Sequence, residues 1–320
     1  MHCARIADCH ETNIGVLAIN TVKSWLIKSF LKLLSLLPLA AVHKMASAIG
    51  ELLNVLPIAT RKVTETNLQR AMPELDEITR KELVKSSLCE TIKAGLELGH
   101  MWYASLESVT GRIRTVHGFE LVENAKASGK GIIYAAPHLG SWELLGIYLS
   151  TLGPMTTLYK PAKIDGLNEL IAHSRAKGGA KLVPTNRQGV VKLTKALKQG
   201  ESTGILPDQQ PKRDGGVFAD FFGVPAFTMT LLPKLAARTG AVVLLAYAER
   251  LPGNQGFDVH FREADPDVYS ENSEVAAAGL NRSVEACVRQ IPAQYQWEYK
   301  RFRKRPDSEA PEGKSQPFYQ

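Results

Sequence analysis

Cysteine is scarce in this 320-residue chain: Cys3, Cys9, Cys89 and Cys287 are the four, with no CxxC pair and no paired Cys/His spacing. That pattern supports neither a disulfide framework nor a zinc site and points to a reducing compartment. His2, Cys3, Cys9 and His10 cluster at the N-terminus, but a loose chain end sets no rigid ligand geometry, so neither metal nor cofactor is expected. A run of about 20 uncharged apolar residues is missing, which disfavours a plain membrane-spanning helix. A small-residue cleavage site after a clean apolar core is also missing, which argues against a cleaved signal peptide. There is no GxSxG elbow, no internal repeat and no recognised nucleic-acid motif. Acidic residues are in deficit: 32 Asp and Glu face 39 Lys and Arg, and the net charge of +7 calls for acidic partners such as phosphates, anionic headgroups or an acidic protein.

Hydrophobic residues, at 44%, suffice for a real core. Residues 14–42 read "IGVLAINTVKSWLIKSFLKLLSLLPLAAV", interrupted by Lys23, Lys28 and Lys32. At 100° per residue, Ser24, Lys28, Lys32 and Ser35 share one arc, while Trp25, Leu26, Phe30, Leu33, Leu34 and Leu37 mostly fill the rest. This is the pattern of a helix lying in a headgroup plane, its lysines drawn to anionic lipid by about 1 kcal/mol each. The alternative is an amphipathic helix packed on the protein's own core.

After Pro57 come helices broken near Pro73. From about Gly118 short apolar runs alternate with helical stretches: strands at 132–136, 155–159, 181–183, 202–206 and 241–248, helices at 141–150, 167–177, 189–198 and 230–238, and a long loop after residue 206. Such alternation predicts an α/β sandwich with a mostly parallel central sheet flanked by helices. The expected organisation is an N-terminal membrane-associating helix over 1–45, a catalytic domain over 46–306 and a disordered tail over 307–320, rich in Pro, Glu, Ser, Lys and Gly.

The chemistry concentrates in "YAAPHLGSWELLG", residues 134–146. His138 follows an apolar strand, in the loop where ligands gather beyond the carboxyl ends of parallel strands. Glu143 falls in the first turn of the next helix, where the dipole favours its charge. On one continuous helix the two side chains would diverge by about 140°, so they meet only if the chain bends at Gly140, with Ser141 as a helix N-cap. A carboxylate on one ring nitrogen would fix the tautomer and leave the other nitrogen to take a proton from a substrate hydroxyl. A structural role for the His/Glu pair remains the bland alternative.

"HLGSWE" is an H-x4-E form of the H-x4-D/E motif of glycerolipid-type acyltransferases. With "LIAHSRAKGG", "GILPDQQPKRDGGVFADFFGVPAFT" and "PAQYQWEYKRFRKRP" in order, the chain from Thr21 to Pro306 resembles the bacterial lipid A biosynthesis late acyltransferases, the lauroyl/myristoyl transferase group. The resemblance implies transfer of a fatty acyl chain from acyl-acyl carrier protein to a hydroxyl of a lipid A precursor, at the cytoplasmic face of the bacterial inner membrane and without a covalent acyl-enzyme. His138 would be the general base and Glu143 its orienting partner. Arg175 would stabilise substrate phosphate or the developing oxyanion, as would backbone N–H groups at the start of the Ser141 helix. Asp208 would hold Arg175 or a neighbouring loop. From the residues alone, Arg175 could equally be a solvated helix residue or, with Lys177 and Lys181, part of a general basic patch. The same resemblance makes "FADFFGVPAF" part of the wall near the acyl chain, where the residues alone read as a core strand and turn. Lys212 and Arg213 could meet phosphate or water, and Lys300 to Arg305 form a basic patch suited to a membrane or an acidic carrier. Two rivals stay open: an acyltransferase for another glycolipid, glycerolipid or aminolipid acceptor, and a non-catalytic membrane lipid-binding protein.

Overall fold

The computed structural model describes residues 21–162, 164–212, 214–306 and 318–319. The N-terminal His/Cys cluster, the first part of the apolar N-terminal stretch, Arg213 and most of the 307–320 segment lie outside the described residues.

A five-stranded sheet forms the centre, in the order β1 (Ile113–His117), β9 (Phe257–Glu263), β8 (Val242–Arg250), β2 (Ile132–Ala135), β5 (Ser202–Ile205). All neighbours are parallel except β8 and β9, so the expected parallel sheet carries one antiparallel pair. The reversal follows from chain length: only a short turn joins β8 to β9, too little for a parallel crossover. The described strands β3 (Thr156–Tyr159) and β4 (Lys181–Pro184) form a separate parallel pair, joined to the edge of β5 by the Met155–Ser202 bridge. The long loop expected after β5 contains a hairpin, β6 (Gly216–Phe221) and β7 (Val224–Met229), so the core strand and turn suggested by "FADFFGVPAF" is one part of an antiparallel pair. Its turn at Phe222–Gly223 has positive φ at both residues, the turn that suits the right-handed twist of two strands.

Alternate residues of the central strands serve two cores. Ile133, Ala135, Val243, Leu245 and Tyr247 face α3 (Ala59–Ala71), α4 (Glu77–Leu96), α10 (Arg187–Lys198), α11 (Leu231–Thr239) and α12 (Ser273–Val288). Ile132, Tyr134, Ala136, Leu244 and Ala246 face α5 (Leu98–Tyr103), α7 (Phe119–Ala127), α8 (Trp142–Leu149) and α9 (Asn168–Ala176). Burial on both sides explains why β2 and β8 are apolar throughout rather than alternating. Gly240, in the left-handed region at φ 68°, ends α11 where the sequence places the stop.

Residues 21–36 form α1, followed by α2 (Leu39–Val55). Leu31 and Leu34 are buried in the protein's own core, and Tyr103 donates a hydrogen bond to the Lys28 carbonyl. The expected polar arc does not face solvent as a unit: Ser24 is buried and Lys28 and Ser35 are half-buried. The outward side instead shows Trp25 at 64% exposure, Leu26, Phe30, Leu33 and Leu36, and α2 also exposes Leu52 and Val55. No single helix among the described residues is long and apolar enough to cross a membrane. At the other end, Phe318 stacks on Phe302 and the Tyr319 hydroxyl donates to Asn67, so the described part of the C-terminal segment is docked.

A buried ion cluster ties this helical layer to the sheet. Glu97, between α4 and α5, receives hydrogen bonds from Arg250 Nε at 2.5 Å and Nη2 at 2.7 Å, and its Oε1 lies 2.5 Å from His43 Nε2. Burial alone would raise the Glu97 carboxyl, but Arg250 and then His43 outweigh it and bring it from 4.5 to about 2. A depressed carboxyl contributes stability above its unfolded value and loses it as pH falls through the folded one. Stability followed by denaturant titration should therefore decline between about pH 4.5 and 2. Glu97→Gln should start about 3–5 kcal/mol lower and decline much less over that interval, because Arg250 then keeps only Glu90 as an anionic partner at every pH.

Candidate active site

Strands β2 and β5 run parallel with Ala135 opposite Ile205. Each exits through a proline, Ala136-Pro137-His138 on one side and Leu206-Pro207-Asp208 on the other, so His138 and Asp208 stand side by side three residues beyond a paired position. Asp208 binds His138 twice: its Oδ1 lies 2.8 Å from Nδ1, and its Oδ2 accepts from the His138 backbone N–H at 2.9 Å. The His138 carbonyl accepts from the Gln296 N–H at 3.1 Å, which fixes the loop from behind. The Trp142 ring stands edge-on to the imidazole, centroids 5.4 Å apart.

The charges settle the tautomer. Burial opposes ionisation of Asp208, but the nearby His138 and its two hydrogen bonds outweigh it and hold the carboxyl below its usual value. An ionised carboxylate only accepts, so in the neutral ring the proton sits on Nδ1. Nε2 then carries a lone pair, and the Gln209 side-chain nitrogen, 3.2 Å away, donates to it. The same nitrogen is 3.3 Å from Gln296 Oε1, an acceptor, consistent with that orientation. Behind Asp208 lies Tyr295, whose hydroxyl is pushed well above its ordinary value by burial and by the carboxylate to which it is hydrogen-bonded.

The bend at Gly140 is present but does a different job from the expected one. Its φ is +63°, and a Cβ there would lie 1.9 Å from the Ala248 carbonyl oxygen, so only glycine fits. Its N–H donates to the Gln294 carbonyl and that of Ser141 donates to the Ala248 carbonyl, closing the loop onto β8. Ser141 occupies the N-cap position of α8 without a side-chain capping bond, and its N–H already has a protein acceptor.

Past the bend, Glu143 turns away from the imidazole. Its carboxylate accepts from Trp102 Nε1 at 3.3 Å and from Arg175, through Nε at 3.3 Å and through Nη2. The expected His138–Glu143 pairing is thus replaced by His138–Asp208, and Arg175 pairs with Glu143; of the two roles expected of Asp208, holding Arg175 or holding a neighbouring loop, it performs the second, at the His138 loop. Spacing along the chain points to Glu143, the carboxylate nearer in sequence. The parallel register, which brings residue 208 to residue 138, carried the deciding constraint. Burial opposes the charge on Arg175, and Glu143 outweighs it and raises the guanidinium further.

Lys177 does not join a substrate patch. Its Nζ donates to the carbonyls of Met101 at 2.7 Å and Ala104 at 2.9 Å, capping the end of α5. Within Lys300 to Arg305, Arg301 is buried and donates to Phe227 and Thr228, so it belongs to the core rather than to a surface patch. Lys212, Arg303 and Lys304 do border an open groove on the loop that carries Gln209 and Gln210. Phe221 and Phe222 pack on Tyr295, Trp297 and Phe302, which makes the hairpin core support for the Asp208 side, as its residues alone suggest. Gln209, Tyr295 and Gln296, which no sequence motif marked as functional, lie in the "LPDQQ" and "PAQYQW" stretches.

Beside the histidine an apolar cavity of about 110 Å³ opens between α8 and the strand pair β3–β4. Trp142, Glu143, Arg175 and Tyr159 border one part of it, and Leu149, Met155, Ala180 and Leu182 line the remainder. The Arg175 guanidinium lies 6.0 Å over the Tyr159 ring.

A carboxylate-held imidazole with an acceptor nitrogen, set at the carboxyl edge of a largely parallel sheet beside an apolar slot, suits transfer of an apolar acyl group to a hydroxyl. The model of the bacterial lipid A biosynthesis acyltransferase family matches residues 10–304, and the chain belongs to that family of acyltransferases. It is 28% identical to a lipid A biosynthesis acyltransferase of Haemophilus influenzae, covering 89% of each chain. It is 26% identical to the lipid A biosynthesis lauroyltransferase of Escherichia coli over 89% of this chain and 92% of that one. To the palmitoleoyltransferase of the same organism it is 25% identical, over 86% and 89%.

The two carboxylates make a kinetic distinction. Asp208→Asn, which preserves shape but favours the other tautomer, should lower kcat for acyl transfer by about 10³-fold or more. Glu143→Gln leaves Arg175 without its anion at the slot and should act more on KM for the acyl donor. Purified variants assayed at varied donor concentration separate the two effects.

Proposed function

We propose that the protein carries out a late acylation of lipid A, moving a fatty acyl chain from acyl-acyl carrier protein to a hydroxyl of a lipid A precursor, with His138 as general base. The observation that carries this reading is the Asp208–His138–Gln209 arrangement, which holds the ring with Nε2 as the accepting nitrogen. The acceptor hydroxyl takes the place of the Gln209 amide at Nε2 and passes its proton to the imidazole as its oxygen attacks the thioester carbonyl. Asp208 stabilises the imidazolium so formed. The proton then passes to the departing thiolate, and no bond to the enzyme is needed. Arg175, bordering the slot, supplies positive charge to the oxyanion. The groove lined by Lys212, Arg303 and Lys304 offers cations to an anionic headgroup.

The exposed apolar side of α1 and α2 rests on the cytoplasmic face of the inner membrane in this reading. Trp25, Leu26, Phe30, Leu33 and Leu36 together exceed the scattered apolar exposure of an ordinary surface. The acceptor and the acylated product are both lipids, so an enzyme that docks on the bilayer meets them in place.

His138→Ala should lose about 10²–10⁴ in turnover with acyl carrier thioester and lipid A precursor, measured by product mass. Near-normal turnover would remove the histidine from the mechanism. In parallel, Trp25→Ser combined with Phe30→Ser should strongly reduce co-sedimentation with anionic phospholipid vesicles while leaving the melting temperature nearly unchanged, since both side chains are exposed. Undiminished vesicle binding would contradict the docking surface.

A further inference from the structure

Gly146 lies in the middle of α8, where glycine destabilises a helix relative to alanine. Its φ is not in the left-handed region, so the backbone does not require it. A Cβ placed there would meet no heavy atom within 4 Å, so packing does not require it either. The contrast with Gly140, one bend earlier, is complete: there a Cβ collides with the Ala248 carbonyl. What Gly146 borders is the apolar cavity.

The depth of that cavity can be read along the helix. Trp142, against the His138 ring, marks the catalytic end, and at 1.5 Å per residue Gly146 lies about 6 Å and Leu149 about 10 Å further in. Tyr159 and Leu206, also lining the cavity, lie at or just past the carboxyl ends of β3 and β5, at the same edge as His138. Met155 and Ala180 immediately precede β3 and β4, at the opposite edge, and with Leu149 are buried: 4%, 8% and 1% exposed. They form the floor. A second glycine, Gly204 of β5, also lines the cavity, and a Cβ there would touch only Met155 Cε at 3.1 Å.

We infer that Gly146 determines how long an acyl chain the enzyme accepts: its bare backbone lets the chain pass the middle of α8 and reach the floor at Leu149, Met155 and Ala180. This rests on the acyl-transfer reading above and adds to it the residue that selects the donor. A side chain at position 146 would stop the chain partway, and shortening Met155 would deepen the floor. An apolar pocket discriminates about tenfold or more per methylene that no longer fits.

The test is competition among saturated acyl carrier thioesters of graded length, with lipid A precursor as acceptor and product masses as readout, for the full-length wild type, Gly146→Ala, Gly146→Leu and Met155→Ala. Gly146→Leu should lose about tenfold or more of its transfer of the wild type's preferred chain relative to shorter chains, Gly146→Ala should shift the same way by less, and Met155→Ala should shift towards longer chains. Gly146→Ala should not lower the melting temperature, since alanine is the better helix former, which keeps one variant informative if the leucine variant folds poorly. A length profile unchanged in Gly146→Ala and Gly146→Leu, or an equal loss at every length, overturns this inference while leaving the acyl-transfer reading intact. A wild type that transfers no chain of any length overturns both.

Discussion

Asp208 accepts two hydrogen bonds from one residue, the backbone and the ring of His138, and this double contact places the reactive nitrogen. It exists because two parallel neighbours, β2 and β5, leave the sheet in register and each turns at a proline. The carboxylate stays ionised although burial opposes it, since the histidine's charge and hydrogen bonds more than offset desolvation. Remove that pairing and the imidazole would keep only its contacts to the Gln209 amide and the Trp142 ring, without the carboxylate that holds its proton on Nδ1.

Around this contact the molecule divides its charged groups by task. Glu143 and Arg175 neutralise each other at the border of the apolar slot, which leaves no unpaired charge in an apolar wall. Glu97, Arg250 and His43 form a second cluster, which fastens the helical layer to the end of β8. Gln294 links the two regions: its side chain binds the Arg250 backbone, and its carbonyl receives the Gly140 N–H at the catalytic loop. The N-terminal helices that present apolar side chains outward are thus held to the same strand end that closes the active-site loop.

Much of the architecture was legible in the sequence because apolar runs and punctuation were clear. The runs at 132–136 and 202–206 are strands, Pro73 and Gly240 mark helix breaks, and the bend at Gly140 is where it was expected. The hairpin β6–β7 was legible only in part: "FADFFGVPAF" reads as a strand and turn, but the surrounding glycines and prolines resemble loop punctuation and the pairing depends on a Phe-Gly turn. The reversal of β9 depends on which strands pair, and periodicity carries no pairing information. At the site, His138, Glu143, Arg175 and Asp208 all stand out in the sequence, and Asp208 does hold a neighbouring loop, yet the carboxylate on the imidazole is Asp208 rather than Glu143. Sequence distance favoured Glu143, five positions from His138, over Asp208, seventy away, whereas the fold is governed by strand register. Lys177 could not be recognised as a cap for α5, since its partners are backbone carbonyls that no side-chain pattern marks.

The measurement that bears most directly on this account is the tautomer of His138 in the resting enzyme, read by nitrogen-15 NMR of histidine-labelled protein at a pH where the ring is neutral, with His138→Gln identifying its signals. The account predicts a proton on Nδ1, bonded to Asp208, and an unprotonated Nε2. A proton resident on Nε2, or a ring whose signals are unmoved by Asp208→Asn yet shifted by Glu143→Gln, would contradict it.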